Sequence, residues 1–222
     1  NYGNEYFKKK RQEDEVIAVK AAFRKEHLHP ERLMKSLFNN DNYVKWKVDA
    51  GKLMSYLFEL AAITQSHDTD LDLYSLFLNW YIDYGPSPLT QGKMPYVEAN
   101  LLENILNTAD TCVVKKENSA TLRFGHETCL LPLACLLELG DCAYQTTDIN
   151  KLSDIWRNYR IFPKACNIQF VFYRKKGNDN ILVKILLNEQ EMKLPLASEL
   201  VPYYHWEEVE RYYRNKLATF VH

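Results

Sequence analysis

A histidine and a carboxylate stand side by side at His126 and Glu127, directly after a short, mostly apolar run at 120–125. An apolar segment follows them, so the pattern predicts a strand over 120–125 and a helix over 128–139. Open α/β sheets bind their ligands at the carboxyl ends of the strands. The order strand, His-Glu, helix therefore places both titratable side chains where a ligand would bind.

The chemistry that such a pair supports best is the cleavage of a phosphate ester. An imidazole at His126 can donate hydrogen bonds to phosphate oxygens, and a carboxylic acid at Glu127 can protonate the leaving alkoxide. The helix start behind them adds free backbone N–H groups and a positive dipole end. The alternative is a loop histidine with a solvated neighbour, because a His-Glu pair alone is not specific.

The remaining histidines do not predict a metal or cofactor site. His27 and His29 precede Pro30 without a third ligand at metal-binding spacing, His67 lies in a polar loop, and His205 fits packing at a helix start. The sequence contains no glycine-rich phosphate loop, no nucleophile elbow and no Cys-x-x-Cys motif. We therefore expect chemistry without a metal or a cofactor.

Charge, apolar runs and cysteine count limit the kinds of binding partner and the cellular locations that we expect. The 222 residues carry a net charge of -1, which does not favour nucleic acid. The uncharged run at 128–137 is far shorter than the ~20 residues of a membrane span, and residues 1–5 do not open a signal peptide. The five cysteines leave at least one thiol unpaired, and Cys142 and Cys166 lie in loop-like surroundings where they could pair.

The chain divides by pattern into a helical domain at 1–92 and an α/β domain at 93–222. Apolar spacing in the first part predicts helices at 30–38, at 48–63 and from a cap at Asp70 to 84. The second part predicts helices at 96–114, 128–139 with Gly140 at C′, 150–159 and 207–218. It also predicts strands at 120–125, 168–173 and 181–187, the last two joined by a hairpin loop at 175–180.

The segment Phe124-Gly125-His126-Glu127-Thr128-Cys129-Leu130-Leu131-Pro132-Leu133 resembles the second signature of the histidine phosphatase superfamily, in its acid phosphatase and phytase branch. The nearest group is the bacterial multiple inositol polyphosphate phosphatases. Further stretches that resemble this group are Tyr84-Gly85-Pro86-Ser87-Pro88, Trp156-Arg157-Asn158-Tyr159 and Asn167-Ile168-Gln169-Phe170-Val171-Phe172-Tyr173. The resemblance implies the C-terminal part of an α/β sandwich domain, preceded by part of an inserted helical domain.

The resemblance also implies a reaction. It is phosphomonoester hydrolysis through a phosphohistidine intermediate, in which His126 binds the phosphate and Glu127 donates the proton. The implied substrates are phosphorylated small molecules such as inositol polyphosphates and phytate. The bacterial members of the family imply a periplasmic or secreted location.

One part of the family pattern is absent from the sequence. The nucleophile belongs to an Arg-His-Gly-x-Arg motif, and none of the six histidines here follows an arginine or precedes a glycine. We therefore expect the isolated chain to be inactive and to need a partner, either the missing N-terminal half or another copy of itself. The alternative is a non-catalytic remnant that binds phosphorylated ligands or a protein.

Overall fold

A computed structural model describes residues 2–64, 78–116 and 119–220 of the protein. The N-terminal part of the chain is helical. Its helices are α1 Tyr2–Arg11, α2 Asp14–His27, α3 Pro30–Leu37, α4 Asp41–Lys47, α5 Ala50–Thr64 and α6 at 78–83. Pro30 begins α3 at a position where its missing N–H costs nothing, as predicted. The predicted helices at 30–38 and 48–63 are confirmed, whereas Asp70 and His67 lie outside the described residues.

The second part contains two long helices around one central helix. A 3-10 helix, Met94–Glu98, leads into α7 Ala99–Lys115; α8 is Glu127–Leu136 and α11 is Trp206–Ala218. The helix predicted at 150–159 is instead two single turns, α9 Leu152–Ile155 and α10 Asn158–Ile161. The break falls at Trp156 and Arg157, whose backbones are extended.

A small antiparallel sheet follows. Strand β1 Ile168–Arg174 pairs with β2 Ile181–Leu187, with Ile168 opposite Leu187, so the predicted hairpin is confirmed. The short strands β3 Gln190–Glu191 and β4 Tyr204–His205 both pair with β2. Alternate residues of β2 are buried, as expected for a strand with one face on the core. The fold is thus mixed helix and antiparallel sheet, which is compatible with an α/β class.

The prediction of a strand at 120–125 is wrong. These residues adopt no strand, and the side chains of Leu122 and Phe124 are 76% and 95% exposed. The Arg123 guanidinium instead donates hydrogen bonds to two residues of α7, Asn104 Oδ1 and Thr108 Oγ1, at 2.8 Å each. A strand needs a neighbour for its backbone N–H and C=O groups, and none of the described strands pairs with this segment.

The predicted end of α8 is also wrong. The helix ends at Leu136, and Glu138, not Gly140, occupies C′ with a left-handed φ of 54°. The Leu139 N–H donates to the Ala134 carbonyl at 3.2 Å and the Glu138 N–H to that of Cys135 at 3.1 Å, which is the Schellman pattern. Gly140 is left-handed as well, but it begins the next 3-10 helix.

Helix α8 lies in the main core. Its residues from Leu131 to Leu136 are all buried, and they pack in one cluster with Trp156, Tyr81, the buried face of β2 and α11. Val16 and Phe23 of α2 belong to the same cluster. The division into domains 1–92 and 93–222 stays a prediction.

The possible Cys142–Cys166 disulfide does not form, since all five cysteines are free thiols in the structure. Cys142 is buried beside Cys135 of α8, whereas Cys166 lies near Glu127 at the start of that helix. Residues 127 and 135 are about 12 Å apart along a helix axis, and a disulfide requires Cα atoms within about 7 Å.

Gly85 provides a test of the packing around α6. A Cβ atom there would lie 2.7 Å from the Tyr81 carbonyl oxygen and 3.2 Å from the Trp156 ring. We expect Gly85→Ala to lower the free energy of unfolding by about 1–3 kcal/mol, measured by urea denaturation.

Gly51 is the matched control, because its added Cβ would meet only Asp49 Oδ1, at 3.5 Å. Gly51 lies inside α5, so Gly51→Ala should leave stability unchanged or raise it by up to about 1 kcal/mol. Equal effects of the two substitutions would contradict the packing described at Gly85.

Candidate active site at the start of helix α8

The backbone places His126 and Glu127 at the N-terminal end of α8. His126 is the N-cap residue in an extended conformation, and its carbonyl accepts from the N–H groups of Cys129 at 2.9 Å and Leu130 at 3.1 Å. Its imidazole does not cap the helix. Glu127 is the first helical residue, so both side chains lie beside the unpaired N–H groups and the positive end of the dipole.

Both side chains are exposed, whereas the second half of the same helix is buried. The core therefore fixes the axis of α8 while its first residues remain open to a ligand. Pro132 lies in the second turn of α8 and is itself buried. The two side chains of the predicted pair thus share one exposed helix end.

Three further polar residues surround this helix start. Glu98 is half-buried beside Cys129, and burial raises the pKa of the Glu98 carboxyl. Burial also raises the pKa of the Cys129 thiol, and the Glu98 charge adds to the rise. Burial, with a contribution from the charge of Glu127, raises the pKa of the Cys166 thiol. Each of these shifts favours the neutral form.

Sequence reasoning missed Glu98, Cys129 and Cys166 as neighbours of the pair. Glu98 ends the 3-10 helix that packs against α8, and Cys166 lies just before β1, so only tertiary packing brings them there. The one local signal is at Cys129, which lies three residues after His126 and so one helical turn away.

The arrangement could bind an anion and supply a proton. His126 offers an N–H donor, the first turn of α8 offers backbone N–H groups, and Glu127 offers a carboxyl group. Within the described ranges, no group of three or more His, Cys, Asp or Glu side chains could hold a metal ion. His27 packs against Phe23, with ring centroids 4.2 Å apart. No helix among the residues described is long and apolar enough to cross a membrane.

No protein-family model and no curated protein matches the sequence. A structural match is found with the multiple inositol polyphosphate phosphatase of Bifidobacterium longum, solved in complex with inositol hexasulfate. The TM-score is 0.55 at 28% sequence identity. The alignment covers 61% of this chain and 29% of that enzyme, so the chain spans less than a third of its neighbour's length. The match supports a histidine phosphatase-like fold.

Thiol labelling tests the surroundings of the site. Burial raises the pKa of Cys142 to about 12 and that of Cys135 well above its ordinary value, so both should resist iodoacetamide at pH 8. Cys129 and Cys166 should react slowly, and faster as pH rises towards their raised pKa values. Peptide mass spectrometry at several pH values measures these rates.

The same experiment in denaturant without reductant should label all five cysteines. Denatured protein that takes up only three labels would contain a disulfide, which would contradict the free thiols of the structure. Rapid labelling of Cys142 in the native protein would contradict its burial.

Proposed function

We propose that this chain is part of a phosphomonoester hydrolase of the histidine acid phosphatase type, with inositol polyphosphates as its substrate class. The observation that carries the proposal is the structural match to an inositol polyphosphate phosphatase. The exposed His126 and Glu127 at a helix N-terminus add support from chemistry, because that is where a phosphate group binds readily.

In the proposed reaction, His126 donates hydrogen bonds to the phosphate group and Glu127 starts as a neutral acid. A histidine nucleophile forms a bond to phosphorus while the bond to the ester oxygen breaks, and Glu127 gives its proton to the departing alkoxide. Water then attacks the phosphohistidine and gives a proton to the Glu127 carboxylate. Inorganic phosphate leaves, and the histidine nucleophile is regenerated.

In this proposal the nucleophile comes from polypeptide outside this sequence, since no histidine here lies in an Arg-His-Gly motif. The exposed segment at 119–126 is the proposed contact surface for that polypeptide. Leu122 and Phe124 expose apolar side chains there, and the backbone forms no ladder. Uncovered apolar groups beside an unpaired backbone are typical of a surface that another chain segment covers.

Leaving-group dependence tests the role of Glu127. The 222-residue chain alone should release no phosphate from p-nitrophenyl phosphate. With the polypeptide that carries the nucleophile, Glu127→Gln should lower kcat for β-glycerophosphate about 10²–10⁴-fold. The loss should be much smaller for p-nitrophenyl phosphate, because p-nitrophenolate departs without a proton. KM should change little for either substrate.

Glu103→Gln is the control, since Glu103 is an exposed carboxylate on α7. It should leave both rates unchanged. Equal losses on the two substrates after Glu127→Gln would disprove the proton-donor role. Inorganic phosphate bound by the assembly without turnover of either ester would favour the non-catalytic ligand-binding alternative.

Self-association tests the proposed contact surface. Alone, the chain should associate at high concentration through its exposed apolar side chains, and the double substitution Leu122→Ser with Phe124→Ser should weaken that association. Sedimentation velocity over a concentration series measures it. Trp46→Ser is the control, since Trp46 is 76% exposed on α4. Equal weakening by the control would show that the association is not specific to 119–126.

A further inference from the structure

A cleft opens at the end of α8 opposite His126 and Glu127. Its volume is about 660 Å³, which lies within the range of small-molecule sites. Polar side chains from several elements line it: Gln91, Lys93, Tyr96, Glu138, Gln145 and Lys216. Ten helical residues, or about 15 Å, separate it from the His126 end of the helix. The cleft is therefore distinct from the candidate active site.

The backbone around this cleft is held in an uncommon conformation. Gln91, Gly92 and Glu138 all line it, and all have left-handed φ angles of 56°, 66° and 54°. A Cβ atom at Gly92 would lie 2.6 Å from Gln145 Nε2, so glycine lets the Gln145 amide approach the turn. At Glu138 this conformation is the helix cap described above, and at Gln91 and Gly92 it forms the turn after the 3-10 helix Pro88–Thr90, so helix ends and turns shape this side of the cleft.

The charges of the cleft leave a surplus of one positive charge. Tyr212 Oη donates to Glu138 Oε2, and Lys216 Nζ lies 3.0 Å from Oε1, so both Glu138 oxygens are occupied. Lys216 also donates to the Leu136 carbonyl at 2.7 Å, which leaves one of its three protons. Lys93 Nζ lies 6.0 Å from the Tyr6 ring and has no acceptor among the described residues.

The uncharged walls offer hydrogen-bonding groups and apolar ring carbons. Neither the Gln91 nor the Gln145 side chain has a hydrogen-bond partner in the described part of the chain. The rings of Tyr96 and Phe220 stack face to face at 4.2 Å with an interplanar angle of 8°, so each ring covers one face of the other, and both rings line the cleft. Burial raises the pKa of Tyr96, and the Glu138 charge adds to the rise, so its hydroxyl stays a donor.

We propose that this cleft binds a sugar acid with a single negative charge, such as a uronate. The carboxylate pairs with Lys93, which carries the surplus positive charge, and accepts the remaining proton of Lys216. The amides of Gln91 and Gln145 each combine donors with an acceptor, which suits sugar hydroxyls. The ring carbons of Tyr96 and Phe220 contact C–H groups of the sugar ring. This binding does not depend on the proposed phosphatase reaction.

Calorimetric titration of the full 222-residue chain with D-glucuronate tests the proposal, with D-glucose as the neutral ligand of the same ring size. Glucuronate should bind in the millimolar range or tighter, and glucose at least tenfold more weakly. Lys93→Gln should weaken glucuronate binding at least tenfold. Lys151→Gln should not, since Lys151 is an exposed lysine paired with Asp148 outside the cleft.

Both variants should fold, because Lys93 and Lys151 lie outside the buried core. Circular dichroism of each variant checks this. Three results would overturn the proposal. They are equal affinities for glucuronate and glucose, no saturation by glucuronate below about 20 mM, and glucuronate binding that survives Lys93→Gln.

Discussion

The burial of helix α8 is the constraint on which the rest of the structure depends. Residues Leu131 to Leu136 are buried around the whole circumference of the helix, as in a core helix. The helix cannot shift without breaking its contacts to the 3-10 helix Met94–Glu98 and to α7, and the hydrogen bond that Lys216 of α11 donates to the Leu136 carbonyl, so the packing fixes the positions of both helix ends. His126 and Glu127 stand at one end, and the left-handed Glu138 stands at the other.

Local patterns were enough to predict the elements whose partners are close in sequence. The β1–β2 hairpin could be predicted because alternating apolar residues and a polar loop specify it within 20 residues. The segment at 120–125 has a similar pattern, yet it forms no strand, because strand formation depends on a neighbour that local pattern does not provide. Glu138 at C′ was missed since glycine usually occupies that position.

The candidate site likewise contains some residues that could be predicted from local sequence and others that could not. His126 and Glu127 are adjacent in the sequence, so their shared position at a helix start could be predicted from the apolar run behind them. Glu98 and Cys166 reach the same helix end only through packing against α8. The cleft near Lys216 depends on elements far apart in sequence, and a partly buried lysine paired with Glu138 leaves no local signal.

In the proposed enzyme, one contact surface serves both stability and catalysis. The segment that exposes Leu122 and Phe124 leads without interruption into His126 and Glu127. A polypeptide that covers these two apolar side chains is brought within a few residues of the proposed catalytic pair. Burial of the apolar groups then contributes free energy to the same association that delivers the nucleophile. Assembly and the completion of the active site become a single step.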